Sequence, residues 1–304
     1  MAEIPEATEA KALDAEAASG ALTAACAAAG LDAAGAELIR IGENAVFRLR
    51  EPVIARIART ASYAEAARRE VAVARWLEDC GYPATRALGI EQPVVVDGRV
   101  VTFWESVSDE EEFAPLEEVA RLIRWLHELE EPPLELPELD PFARAEYRLR
   151  LAHAGLNAAD FAYLEQRVNS ARRQWGELDF ALSRGAVHGD ASIGNVIRSS
   201  TGEPVLIDLD GFATGPREWD LVQTAMYYER FGWHTEQEYR TFVEVYGYDL
   251  LTWPDYPKLA DIRETLMTLW LSQKAQHDQR SADEVHKRLN TLRTGADRRD
   301  WAPY

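Results

Sequence analysis

His188, Gly189, Asp190 and Asn195 fall within the single stretch HGDASIGN, and Asp208 follows thirteen residues after the Asn, inside VLIDLDG. Phosphoryl transfer from a nucleotide needs magnesium held against the phosphates, an acceptor hydroxyl in position, and a group that takes up its proton. Magnesium prefers hard oxygen ligands, usually one or two carboxylates with retained waters. An Asp on a loop can accept a hydroxyl proton, and an amide oxygen can ligate a metal without adding charge, so Asp190 and Asn195 could divide those tasks. Asp208, reached through the apolar run VLI, would hold a second face of the metal site from the end of a hairpin whose turn is SSTGEP. The alternative is that these are turn residues of an unrelated hairpin.

Such residues need elements to hold them. The segment ELIRIGENAVFRLREPVIARIAR carries two short β-type runs, LIRI and AVFRL, parted by the turn-like Gly42-Glu43-Asn44. PVIARIA reads as a third strand, with Pro52 at a strand's first position. SYAEAARREVAVARWLEDCGYP predicts a helix, with a Ser62–Glu65 capping box at its start and Gly81 then Pro83 at its stop. Glu70 falls on the inward stripe of Ala67, Val71 and Ala74, and a buried Glu requires a cation nearby. QPVVV and RVVTFWE pair through the hairpin turn Asp97-Gly98. After Trp104 the apolar spacing is helical in LEEVARLIRWLHELE, DFAYLEQRVNSARRQWGEL and ADIRETLMTLWLSQKAQ, and the Ala-rich first 34 residues also read as helical. The expected fold is α+β and bilobal, with no internal repeat. Residues 1–104 form a small β-rich lobe with its long helix. Residues 105–304 form a larger, mostly helical lobe that carries the HGD and IDLD segments as a short β-type insert.

VHGDASIGNV followed by LIDLDGFATGPREWDL resembles the catalytic and metal-binding loops of the aminoglycoside phosphotransferase family, which is related to choline kinases and has a protein-kinase-like fold. The resemblance runs from about residue 36 to 225. It implies Asp190 as catalytic base, Asn195 and Asp208 as magnesium ligands, and His188 as a residue that shapes the loop. It also implies that RIGENAVFRL covers the nucleotide, with Gly42 and Asn44 in its turn and Gly42 letting the backbone approach phosphate. Arg56, in VIARIAR, stands where the family pattern places a cation that touches the donor phosphates and pairs with a helix carboxylate, here Glu70. Lys is more familiar at that place, and Arg is bulkier and binds bidentately. The crossing segment FWESV, beginning near Trp104, would offer backbone groups to a purine. Asp220 resembles a family residue that anchors the catalytic loop, and His127 falls where a Leu-His pair often stands, although a packed histidine is the plainer reading. Asp210 either joins the metal site or caps the turn that follows.

Composition narrows the rest. The chain has 304 residues, ample for two cores, and no run approaches the roughly 20 apolar residues of a membrane span. The opening tract scatters acids and Lys through its apolar part and has no basic start, unlike an export signal. Two cysteines, Cys26 and Cys80, form no disulfide framework and suit a cytoplasmic protein. A formal charge of −19 excludes nucleic acid and anionic membrane as expected partners. The same charge suits a cationic acceptor, as the acidic stretches SDEEEFAPLEE and HELEEPPLELPELD would, but acid-rich runs also serve as solvated faces. Trp219, Trp233, Trp253 and Trp270 either face an acceptor or pack the core. The expectation is a kinase that uses magnesium and ATP or GTP to phosphorylate a small-molecule hydroxyl. An antibiotic kinase, a choline-, homoserine- or sugar-type metabolite kinase, and a nucleotide-binding pseudokinase are its competing forms.

Overall fold

The computed structural model describes residues 14–42, 44–50, 52–109 and 112–304. The chain begins with α1 (Ala15–Ala29), β1 (Glu37–Ile41), β2 (Asn44–Arg48), β3 (Val53–Ala58), α2 (Ala64–Asp79), β4 (Val94–Val96) and β5 (Arg99–Glu105). Helices α3 (Leu116–Glu128), α4 (Ala145–Gly155) and α5 (Ala158–Trp175) follow. Four short strands come next: β6 (Arg184–Val187), β7 (Val196–Arg198), β8 (Pro204–Leu206) and β9 (Ala213–Pro216). Helices α6 (Glu218–Glu229), α7 (Glu236–Tyr246), α8 (Tyr256–Ser272) and α9 (Gln279–Thr294) complete it. The α+β composition is the one expected, and the part of the Ala-rich tract before residue 14 lies outside the described residues. No helix among the described residues is long and apolar enough to cross a membrane. Two compact units emerge, and they interleave along the chain. Residues 129–136 and 194–212 group with the first 114 residues, and 115–128, 137–193 and 213–304 form the second unit. The division at 104/105 follows composition; the units follow contacts.

In the first unit, five antiparallel strands lie in the order β1-β2-β3-β5-β4. Alternation along β3 turns Val53, Ala55 and Ile57 to a buried face and Ile54 and Arg56 to the other. The buried face is covered by α1, whose Ala18, Ala21, Leu22 and Ala25 pack with Phe47, Ile57, Val101 and Phe103. Small side chains on α1 let the helix lie close to the sheet. On the other face Arg56 is flanked across the register by Val46 and Thr102. Asp97 and Gly98 both adopt left-handed backbone, φ 50° and 70°, as the expected two-residue turn between β4 and β5 requires. Gly81, φ 67°, ends α2 as expected, with the Tyr82 amide donating back to Leu77.

The expected Ser62–Glu65 capping box does not form. The chain enters α2 through a single 3-10 turn, Ala61–Tyr63, and Tyr63 at the helix start makes no side-chain cap bond. The Ser62 hydroxyl is instead 2.6 Å from that of Thr60, and Glu65 pairs with Arg68 on the surface. A nearby hydroxyl and one tight turn outcompeted the box.

The hairpin of β7 and β8 also belongs to the first unit. Neighbouring backbone stitches it in: Leu206 exchanges bonds with Pro83 and Thr85, Val196 accepts from Ala114, and Arg198 donates to Glu112. In the second unit, α3 turns Val119, Leu122, Ile123 and Leu126 inward against α7. Helix α8 packs on α4, α5, α6 and α9 and is the centre of that core. Strands β6 and β9 pair antiparallel, with Val187 opposite Ala213, and so fix where the chain leaves toward His188.

Candidate active site

Arg56 is the hub of a charged cluster in the first unit. One nitrogen of its guanidinium donates to Glu70 Oε1, and the other lies 3.1 Å from Asp208 Oδ1. Strand β3 supplies the Arg, α2 the Glu, and the segment after β8 the Asp. Glu70 is 8 % exposed, so the acid read as facing inward is buried and has found its cation. Burial pushes the Glu70 carboxyl up to about 7, opposed by Arg56 and helped by the charges of Asp210 and Asp208. Burial also works against the Arg56 charge, but Glu70, Asp208 and Asp210 outweigh it and hold the guanidinium protonated. The indole of Trp104 stands 6.0 Å from that guanidinium and donates its N–H to Thr102 Oγ1 at 2.9 Å.

The hairpin brings Asn195 and Asp208 to one end. Val196 is opposite Leu206, and the Ile207 amide extends the ladder by one bond, 2.9 Å, to the Asn195 carbonyl. Asp208 follows at once, with left-handed backbone at φ 63° and its side chain 43 % exposed. Such a conformation is uncommon in a non-Gly residue and carries backbone strain. Among the described residues no three His, Cys, Asp or Glu side chains gather as a metal cage. Magnesium takes hard oxygen ligands, one or two from the protein with phosphate and water supplying the others, and Asn195 and Asp208 carry oxygens of that kind at one hairpin end. Glu70 and Asp208 pair with the Arg56 guanidinium and Asp210 acts on it through its charge, an excess of negative charge that a divalent cation would balance. Asp210 stands within the 3-10 turn Leu209–Gly211 and reaches the cluster through its charge.

The second unit holds Asp190. Gly189, φ 85°, turns the chain after β6. Fully buried Asp220 accepts bonds from the amides of His188 at 2.7 Å and Gly189 at 2.9 Å, and from His127 Nε2 at 3.1 Å. Burial opposes the Asp220 charge, but His127 and His188 outweigh it and hold its carboxyl below the usual range. His127 is buried, with its other nitrogen 2.9 Å from the Tyr246 hydroxyl, so the packed-histidine reading holds and the packing serves the loop. His188 is buried too, and its Nδ1 accepts from the Asp190 amide at 3.3 Å. Asp190 keeps its side chain 55 % exposed while Oδ1 accepts from Gln223 Nε2 at 3.0 Å and from Arg263. A half-exposed carboxylate gripped on one oxygen is suited to general-base work.

Gly42 has an ordinary negative-φ backbone, and a Cβ there would meet nothing within 4 Å, so what the glycine offers is open space. Its carbonyl accepts from Arg59 at 2.7 Å and its amide donates to Asn44 O at 2.9 Å, which brace the turn. In the crossing segment the amides of Glu105 and Ser106 donate to Arg86 and Pro52, and the Val107 carbonyl accepts from Ser200, so these groups are spent inside the protein. Trp219, one of four tryptophans with two readings, is buried and donates its indole N–H to Gly189 O at 2.8 Å. Trp253 is buried as well and bonds to Asp179 O. Gln223 and Arg263 were not picked out by motif. The signal for Arg263 was the one that marked Glu70, a charge on an apolar helical stripe, here among Leu259, Ile262 and Leu266.

Comparison with known proteins adds the following. The sequence profile of the phosphotransferase enzyme family matches residues 36–262. No curated protein sequence matches the chain. Among solved structures, an amicoumacin kinase in complex with AMP-PNP, Ca2+ and Ami superposes with TM-score 0.65 at 15% identity, over 88% of this chain and 90% of that one. A choline kinase from Streptococcus pneumoniae gives TM-score 0.62 at 17% identity, over 90% and 98%. An aminoglycoside phosphotransferase from Streptomyces rimosus gives 0.58 at 21%, over 81% and 97%. At these identities the likeness establishes the fold, that of protein-kinase-like small-molecule kinases.

Proposed function

The chain belongs to the phosphotransferase enzyme family, and from that premise we propose that it moves the γ-phosphate of ATP or GTP to a hydroxyl of a small molecule. The observation that carries this reading is the Arg56 guanidinium held between Glu70 and Asp208, beside the hairpin end that bears Asn195. In this proposal Arg56, fixed by Glu70, grips the donor phosphates, and Asn195 and Asp208 hold magnesium. Magnesium supplies charge neutralisation on the transferred phosphate when bound. The turn of Gly42 and Asn44 covers the nucleotide, and Trp104 backs Arg56 beside it. Asp190 orients the acceptor hydroxyl and takes its proton, on a loop anchored by Asp220.

The formal charge of −19 supports a cationic acceptor, and relatives of this fold act on amicoumacin, on choline and on aminoglycosides. An antibiotic kinase of the resistance type is therefore the leading form, with a choline-, homoserine- or sugar-type metabolite kinase as the second. Two free cysteines support a cytoplasmic setting.

The test is magnesium-dependent consumption of ATP and of GTP against aminoglycosides, nucleoside antibiotics, macrolides, choline and homoserine. One class should stimulate turnover. Asp190→Asn should then lower kcat by about 10²–10⁴-fold while nucleotide binding persists. Undiminished turnover in that variant would remove Asp190 as the base.

A further inference from the structure

Arg263 spends its charge in an unusual way. It projects from α8, seventy-three residues beyond Asp190 in the chain, with its side chain only 11 % exposed. Its guanidinium lies 4.7 Å from the centre of the Trp219 ring, and that indole in turn holds the carbonyl of Gly189, next to Asp190. The head of the side chain reaches Asp190 Oδ1, the oxygen that Gln223 also holds. Gln223 is itself fixed, because the Tyr227 hydroxyl donates to its Oε1 at 3.1 Å. Meanwhile Arg263 Nε is buried with no hydrogen-bond partner among the described residues.

As a structural strut this is a poor arrangement. A desolvated cation with an unsatisfied N–H, paired to a carboxylate that is more than half exposed, gains little over an apolar side chain of the same volume. As a device for holding a base it is well built. Two donors on one carboxylate oxygen stop the group from turning about its last bond. Trp219 fixes the guanidinium plane and the loop backbone together.

We propose that Arg263 is a positioning residue for phosphoryl transfer: clamped on Trp219, it works with Gln223 to lock the Asp190 carboxylate by Oδ1 in the orientation from which the carboxylate receives the acceptor's proton. The proposal rests on the reading of Asp190 as base. No covalent step involves Arg263; the acceptor O–H bond breaks, its proton passes to Asp190, and the oxygen bonds to the γ-phosphorus as the bond to the nucleoside diphosphate breaks. Orientation of a catalytic group within a fraction of an ångström is the kind of effect that a lost brace reduces by one or two orders of magnitude.

The experiment compares the full-length wild type with Arg263→Met, Arg263→Lys and Asp190→Asn. Phosphate release from magnesium-ATP and magnesium-GTP is followed with water as the acceptor, and again with any acceptor that the panel yields. Thermal midpoints and nucleotide KM are measured alongside. Arg263→Met should unfold at the wild-type temperature or above it, keep nucleotide KM within about twofold, and lose kcat by about 10–100-fold. Arg263→Lys, which keeps one charged donor, should fall between the two. Wild-type kcat in Arg263→Met overturns the positioning role and leaves the kinase reading intact, provided that Asp190→Asn is inactive. A shared loss of thermal midpoint and nucleotide binding in both Arg263 variants makes the residue a strut and overturns the role as well. Wild-type turnover in Asp190→Asn, or no magnesium-dependent turnover in the wild type with any acceptor, defeats the underlying reading and this inference with it.

Discussion

Arg56 does with its two terminal nitrogens what a single ammonium could do only as a point charge, holding Glu70 with one and Asp208 with the other. The Arg at a place where Lys is more familiar thus gains a use: it couples the position of α2 to that of the segment bearing Asp208. Asp220 shows a different economy. It is wholly buried yet held as a carboxylate, because His127 and the His188 amide outweigh the penalty of burial. A carboxyl with a depressed folded pKa stabilises the fold fully above the unfolded value of about 3.9, and that contribution fades as pH falls through the lower folded value. Asp220→Asn should therefore cost about 3 kcal/mol at neutral pH, with the gap to wild type narrowing below pH ~4. Denaturant titrations at neutral and acid pH read both quantities. A gap that ignores pH would show that the ionised form is not what anchors the loop.

At the scale of elements, the first unit is a sheet with two unlike faces, and the period of two along β3 decides which is which. One face is closed by α1, and the other presents Arg56 to α2. Core packing and the Arg56 charge cluster are thereby placed on opposite sides of the same strand. Leu22→Ala, in the middle of the α1 contact and 3 % exposed, should destabilise the protein by about 2–5 kcal/mol. Because that leucine is across the sheet from Arg56, nucleotide KM should change little in protein that remains folded. Denaturant unfolding and nucleotide kinetics on the one variant check both halves; a KM that rises in step with instability would show that the faces are not independent. The element boundaries were legible where turn chemistry is strict, as at Asp97-Gly98 and Gly81. The start of α2 was not, because Ser62 and Glu65 have the right spacing for a cap while Thr60 offers the hydroxyl a nearer partner.

For the whole molecule, the decisive quantity is the formal charge of −19. Like charges on a compact body repel, and salt screens them over a Debye length of about 8 Å at physiological strength. The same field attracts a cationic acceptor and speeds its arrival. If the acceptor carries several positive charges, its KM should rise by about threefold or more between low salt and ~0.3 M sodium chloride, while thermal stability increases. A neutral acceptor should show the gain in stability without the rise in KM. Measuring both in one salt series separates the antibiotic-type reading from a sugar- or homoserine-type one.

The sequence by itself determined the α+β class and the strand-rich start, through local periodicity and turn residues, and it singled out Asp190, Asn195 and Asp208, whose expected roles came with the resemblance to a family. It also marked Glu70, since a carboxylate on an apolar stripe cannot remain unpaired. What it could not contain were the partners that reach across the chain. Asp208 meeting Arg56 over 152 residues, Gln223 and Arg263 converging on one oxygen of Asp190, and His127 supporting the loop through Asp220 are all products of packing. A hydrogen bond ends at about 3 Å, and only the folded core sets which distant residues come that close. The identity of each chemical group was thus written locally, and its orientation was decided by the tertiary structure.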